Sequence, residues 1–162
     1  MSCGDAIVLA HRFHAKQVDK AGEPYIGHLQ RVANYVVTLF PDYTEAELEA
    51  AWLHDILEDT SATEQTLIAG GVSPEAVEIV RWLTKPANRP FWWSYRAWVR
   101  GIAENGPLSA VRVKLADNRD NSDPRRVAAL CAGMGGGTMM DRYGPAREIL
   151  EVALSIRKGA TI

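Results

Sequence analysis

Between Ala51 and Thr60 the chain reads Ala-Trp-Leu-His-Asp-Ile-Leu-Glu-Asp-Thr, so His54, Asp55, Glu58 and Asp59 bring one imidazole and three carboxylates into six positions. On a helix, His54 with Glu58 and Asp55 with Asp59 are i, i+4 pairs that stack in two adjacent rows. Three carboxylates on one turn repel one another unless a cation or solvent compensates. A solvated acidic face would carry polar neighbours, whereas Ala50, Ala51, Trp52, Leu53, Ile56 and Leu57 mark a helix that packs against a core. The segment therefore reads as a divalent-metal site with acid–base groups beside it.

One His and one Asp do not complete a metal site, so further ligands must come from elsewhere in the chain. Of the four histidines, His28 follows the turn Pro24-Tyr-Ile-Gly, while His11 and His14 sit on a first helix. On its own residues His28 is as readily structural as ligating, and His11 reads as structural or as a partner to a ligand. An acid in an apolar setting is supplied by Asp117, within Val111-Arg-Val-Lys-Leu-Ala-Asp-Asn-Arg-Asp-Asn121.

The elements that must position these groups are helices, because apolar residues recur at helical spacing and strict alternation is scarce. A first helix is expected over about 5–18 with Ile7, Val8, Ala10 and Phe13 inward. A second is expected from His28 to Phe40 with Val32, Ala33, Val36 and Val37 inward. Thr44 and Glu47 form a capping box that opens a third helix continuing through the His-Asp segment to about Glu58. Ser73-Pro74 opens a fourth that ends near Lys85-Pro86. Two more follow over about 91–104 and 108–118, and a last one over about 140–157. The fold class is thus all-α, in one compact helical bundle. Trp92, Tyr95, Val99 and Ile102 form a stripe that reads as core or subunit contact before it reads as a base-stacking platform, with Trp93 the expected exposed exception.

Three linked stretches carry a resemblance: His14-x-x-Gln17-x-x-Lys20-x-Gly22-x-Pro24-Tyr25-Ile26-x-His28, then Leu53-His54-Asp55-x-x-Glu58-Asp59-Thr60, then Lys114-Leu115-Ala116-Asp117-x-x-x-Asn121. In this order, over about residues 6–121, they resemble the hydrolase domain of the RelA/SpoT alarmone enzymes and the small stand-alone alarmone hydrolases, which are HD-superfamily phosphohydrolases. The resemblance implies a single HD-type domain over 1–162, with its motif-bearing core at about 6–121 and a helical extension at about 124–158. It implies that His28, His54, Asp55 and Asp117 hold a manganese ion, and that Glu58 and Asp59 handle the attacking water and its proton. His14, Gln17, Lys20, Tyr25 and Asn121 align with residues lining the site or nucleotide pocket. Lys114, Arg119 and Arg142 join Lys20 as candidate phosphate contacts. Zinc, iron or a second metal stay open beside manganese.

The implied reaction removes the 3′-pyrophosphate of guanosine tetra- or pentaphosphate. Asp19 stands where the family carries an arginine that packs on guanine, and Leu29 where it carries a proline. Asp19 favours a second reading, in which the same chemistry acts on another nucleotide or a phosphorylated dinucleotide such as NADPH. A third reading, a non-catalytic metal and nucleotide-binding module, has no use for Glu58 and Asp59.

Composition fits this. The 162 residues are 47% hydrophobic and 23% charged with a net charge of −2, which offers nucleic acid or anionic lipid no general attraction. No apolar run approaches the length of a membrane span. The start Met1-Ser-Cys-Gly-Asp has no secretory pattern, so a cytoplasmic protein is expected, as a monomer or a homo-oligomer. Cys3 and Cys131 are read as reduced thiols, and Gly133 to Gly137 as a linker before a phosphate cradle.

Overall fold

Among the residues that the computed structural model describes, 3–19, 22–89, 93–131 and 137–159, ten helices form and no strand does. They are α1 (Cys3–Phe13), α2 (Ile26–Leu39), α3 (Glu45–Leu53), α4 (Ile56–Asp59), α5 (Glu64–Ala69), α6 (Pro74–Leu83), α7 (Tyr95–Asn105), α8 (Leu108–Asn121), α9 (Pro124–Cys131) and α10 (Gly137–Gly159). The all-α expectation holds.

Local signals set many of the boundaries. Thr44 Oγ1 accepts from Glu47 N at 3.2 Å while Glu47 Oε2 accepts from Thr44 N at 2.7 Å, so the capping box is complete. Ser73 caps α6 with Pro74 in its first turn. The first helix stops at Phe13 instead of Val18, because the chain enters a small closed loop. There Tyr25 N donates to Gln17 O at 3.0 Å, Asp19 N donates to Glu23 O at 2.8 Å, and Val18 pairs with Pro24 in an isolated bridge. Gly22 holds φ +83°, which a residue without Cβ adopts freely. This loop carries Gln17, Asp19 and Tyr25 to one rim.

Two inward assignments fail: Val8 is 66% and Val37 43% exposed, and Ala6, Leu9 and Ala10 are the buried side of α1. The third helix is also not continuous. It ends at Leu53, His54 and Asp55 form a turn, and α4 restarts at Ile56. Asp59 N still donates to Asp55 O at 2.9 Å, so the carboxylates stay on one helical turn while His54 leaves it. The short α5 was not anticipated.

The core gathers around α8, which packs against α2, α3, α6, α7, α9 and α10. A helix enclosed on so many sides buries its polar residues too: Arg112, Lys114, Asp117, Asn118 and Asp120 are all buried. Buried charges persist only when paired, and the pairs made by Lys114, Asp117 and Asp120 build the site. Tyr95, Val99 and Ile102 of the aromatic stripe are core residues; Trp92 lies outside the described residues, and Trp93 is partly buried. Cys3 is a free thiol, the side chain of Cys131 is not among those described, and of the glycine run only the backbone of Gly137, which opens α10, is. No helix of the described residues is long and apolar enough to cross a membrane.

Candidate metal centre and substrate cavity

His28 from the first turn of α2 with His54 and Asp55 from the turn between α3 and α4 form a group that could hold a metal ion, and Asp117 of α8 faces both imidazoles beside it. His54 Nε2 lies 2.9 Å from Asp55 Oδ2 and 3.3 Å from His28 Nε2. His28 Nε2 lies 3.7 Å from Asp55 Oδ2 and 3.5 Å from Asp117 Oδ1, and His54 Nε2 lies 3.6 Å from Asp117 Oδ1. Ligands about 2.1 Å from a common ion sit about 3.0 Å apart at a right angle and about 3.4 Å apart at the tetrahedral angle. His28, His54 and Asp55 therefore fit one divalent cation, and with Asp117 beside them two imidazoles and two carboxylates balance its charge.

Both rings are aimed by their other nitrogen. His54 Nδ1 donates to Ala51 O at 2.9 Å, and His28 Nδ1 donates to Asp120 Oδ2 at 2.7 Å. Each bond turns its ring so that Nε2 faces the shared point. Asp120 is thus a site residue that the sequence reading missed; its signal was a second acid three positions after Asp117, one helical turn away. The carboxylates are held as firmly. Tyr25 Oη donates to Asp55 Oδ2 at 2.5 Å; Lys114 Nζ donates to Asp117 Oδ2 at 2.7 Å, and Asn121 Nδ2 to Asp117 Oδ1 at 2.5 Å.

A cavity of about 310 Å³ opens beside the four donors. Glu58 and Asp59 line it, each tethered: Lys85 Nζ donates to Glu58 Oε1 at 2.6 Å, and Gln17 Nε2 to Asp59 Oδ2 at 2.9 Å. Lys85 and Arg126, which the sequence does not single out, join Lys114 and Arg142 as cations of the wall. Arg142 lies over the ring of Tyr95 at 4.3 Å. Tyr25, Asn121 and Asp19 also line the cavity. Arg119 does not: its guanidinium pairs with Glu151 at 2.6 Å. Lys20 lies outside the described residues. His14 stacks on Tyr25 and bonds Gln17 through Nδ1 at 2.6 Å, whereas His11 is exposed against Trp52.

Electrostatics follow from the pairing. Burial alone would strip the proton from both imidazoles, but the surrounding carboxylates outweigh it. Asp117, Asp120 and Asp55 raise His28 to about 9, and Asp55 and Asp117 raise His54 to about 10. Burial likewise opposes ionisation of Asp55 and Asp117, yet His54 and His28 hold Asp55 well below the usual range, and Lys114 with both imidazoles does the same for Asp117. Two protons thus stand in for a cation. In the metal-free protein both histidines have folded values above the 6.5 of the unfolded chain. Their stabilisation is complete below pH 6.5 and is lost as pH rises towards 9–10. A ligating histidine is neutral, so metal binding releases those protons. Titration calorimetry in buffers of different ionisation enthalpy at neutral pH is expected to show between one and two protons released per ion, and none at pH 11; a buffer-independent heat at neutral pH would contradict the protonated pair.

Residues 6–118 match the HD domain family. The chain is 34% identical over 119 residues to a guanosine-3′,5′-bis(diphosphate) 3′-pyrophosphohydrolase of Haemophilus influenzae, covering 70% of this chain and 17% of that protein. It is 33% identical over 122 residues to the bifunctional (p)ppGpp synthase/hydrolase SpoT of Escherichia coli, covering 72% and 17%, and 42% identical over 125 residues to a GTP pyrophosphokinase of Myxococcus xanthus, covering 72% and 16%. The chain therefore spans about a sixth of the length of these relatives. The fold is shared with the solved structure of a metazoan ortholog of SpoT that hydrolyzes ppGpp and plays a role in starvation responses, at a TM-score of 0.66 and 21% identity, covering 96% of this chain and 94% of that one.

Proposed function

Since this chain belongs to the HD domain family, we propose that it is a manganese-dependent phosphohydrolase that removes the 3′-pyrophosphate of guanosine tetra- and pentaphosphate. One observation carries the reading: His28, His54 and Asp55 group as a metal site, with Asp117 facing both imidazoles, beside a cavity that holds two tethered carboxylates and four cations. The relatives' names supply the substrate, and the site supplies the chemistry.

His28, His54, Asp55 and Asp117 hold the ion, which when bound supplies Lewis acidity and lowers the pKa of water towards neutrality. Glu58 orients the attacking water and accepts its proton, and the Lys85 ammonium against Oε1 keeps the carboxylate aimed. Asp59, fixed by Gln17, places the water from the other side. Lys85, Lys114, Arg126 and Arg142 neutralise the charge that spreads over the phosphoryl oxygens. Tyr25 and Asn121 fix the ligating carboxylates and face the substrate. Arg142 and Tyr143 of α10 line the cavity, which supports reading the extension at about 124–158 as part of the same domain.

Asp19 favours the second reading. It lines the cavity, accepts from Glu23 N at 3.1 Å and faces Arg126 at 3.7 Å, a geometry unlike a guanidinium lying on a guanine face. Product analysis separates the two. Purified protein with Mn²⁺ is incubated with ppGpp, pppGpp, NADPH and ordinary nucleoside phosphates, beside an Asp55→Ala control. Pyrophosphate released from the alarmones by the wild type alone is the expected result. Silence on the alarmones with phosphate released from another member moves the assignment to that nucleotide, and turnover by Asp55→Ala overturns the metal mechanism itself.

A further inference from the structure

Asp120 joins two networks. Its Oδ2 receives His28 Nδ1 at 2.7 Å and Arg126 Nη1 at 2.7 Å, while its Oδ1 receives Arg31 Nε at 2.6 Å. The two arginines are not equivalent. Arg31 is 47% exposed and does not line the cavity beside the metal donors. Arg126 is 12% exposed, comes from α9, lines the cavity, and turns Nη2 towards Asp19 Oδ2 at 3.7 Å.

We propose that Arg126 is a positioning residue of the metal centre, acting through Asp120 to fix the ring of His28, with Asp19 holding the guanidinium in place. The physical need is plain. Asp120 is 1% exposed, and a carboxylate so buried stays ionised only against fixed positive charge. A planar guanidinium fixes the orientation of a carboxylate as well as its charge, which a lysine ammonium on a flexible stem does not. A carboxylate fixed in this way receives the Nδ1 proton along one direction and points the Nε2 lone pair at the ion. Asp19 thereby acquires a role independent of any base: it bonds to the backbone of Glu23 and completes a line of contacts from the substrate rim to a metal ligand.

This inference rests on the metal reading of the four donors and on no particular substrate, so its test needs no nucleotide. Mn²⁺ affinity of the chelator-stripped full chain is measured by titration calorimetry, with unfolding temperature in chelator recorded alongside. Arg126→Gln is expected to weaken binding about tenfold, the low end for groups that orient a metal ligand. Arg126→Lys should recover part of that loss, Asp19→Asn should lose less affinity than Arg126→Gln does, and Arg125→Gln, the exposed neighbour on α9, should match the wild type. With whichever nucleotide is turned over, the Mn²⁺ concentration that gives half-maximal turnover should rise by the same factor in Arg126→Gln, a shift that loss of a phosphate contact alone or general destabilisation would not give. If Arg126→Gln does not fold, Arg126→Lys carries the same test through its own loss of affinity. Wild-type affinity in Arg126→Gln, or an equal loss in Arg125→Gln, overturns the proposal. A wild type that binds no metal overturns it together with the metal reading, whereas intact metal behaviour without alarmone turnover leaves it standing and sinks only the substrate assignment.

Discussion

Replacing Glu58 with glutamine is expected to lower kcat by about 10²–10⁴-fold, the range for loss of a positioned general base, while Mn²⁺ affinity stays within about twofold of the wild type, since Glu58 is not among the donors. The substitution is chosen to keep the architecture. Glutamine has the same length, and its carbonyl oxygen still accepts from Lys85 Nζ, which donates to Glu58 Oε1 at 2.6 Å. The basicity goes, and with it the long 3.3 Å bond that Oε2 accepts from Lys85 N. Single-turnover kinetics at saturating Mn²⁺ separate the proton-transfer loss from substrate binding, and KM should move little. A loss below about fivefold would remove Glu58 from the role of base and pass it to Asp59, whose Asn variant is the natural comparison.

The parts of this site that were legible in the sequence are those whose signals are local. Thr44 with Glu47 and Ser73 with Pro74 mark helix starts because the capping bonds close within one turn. The His-Asp segment announced itself because apolar neighbours leave its carboxylates no solvated face. What sequence could not show is set by how helices cross. The break at His54-Asp55 carries no glycine or proline; the turn is imposed where His54 bonds back to Ala51 O and aims its ring at His28 and Asp117. Asp120 becomes the partner of His28 only because α8 packs along α2, and Lys85 reaches Glu58 across 27 residues. Arg119 had the same standing in the sequence as Lys114, yet they leave α8 in different directions, one to Glu151 and one to Asp117.

The same enclosure of α8 makes Lys114→Met informative, because stability and metal affinity are expected to move in opposite directions. Lys114 is 5% exposed, lies 4.5 Å above the ring of Trp98, and is the first cation against Asp117. Burial opposes its charge, and the Asp117 carboxylate overrides that opposition and drives its pKa upward. Methionine fills the same slot between Trp98 and Tyr95 without the ammonium. Breaking a buried pair from one side costs about 3–5 kcal/mol. The low end applies here, because His28 and His54 still face Asp117 and Asn121 still bonds it. A loss of about 3 kcal/mol lowers the melting temperature of a chain this size by about 6–12 °C in chelator. A divalent ion restores the missing positive charge at Asp117, so the loss should shrink in saturating Mn²⁺. Linkage then requires that Lys114→Met bind Mn²⁺ more tightly than the wild type, by about tenfold for each 1.4 kcal/mol recovered. The nucleotide KM should rise at the same time, because one of the four cations of the cavity wall is gone. Melting curves with and without Mn²⁺, set beside calorimetric affinities, read both changes; equal destabilisation in the two conditions would mean that Lys114 and the ion do not share Asp117.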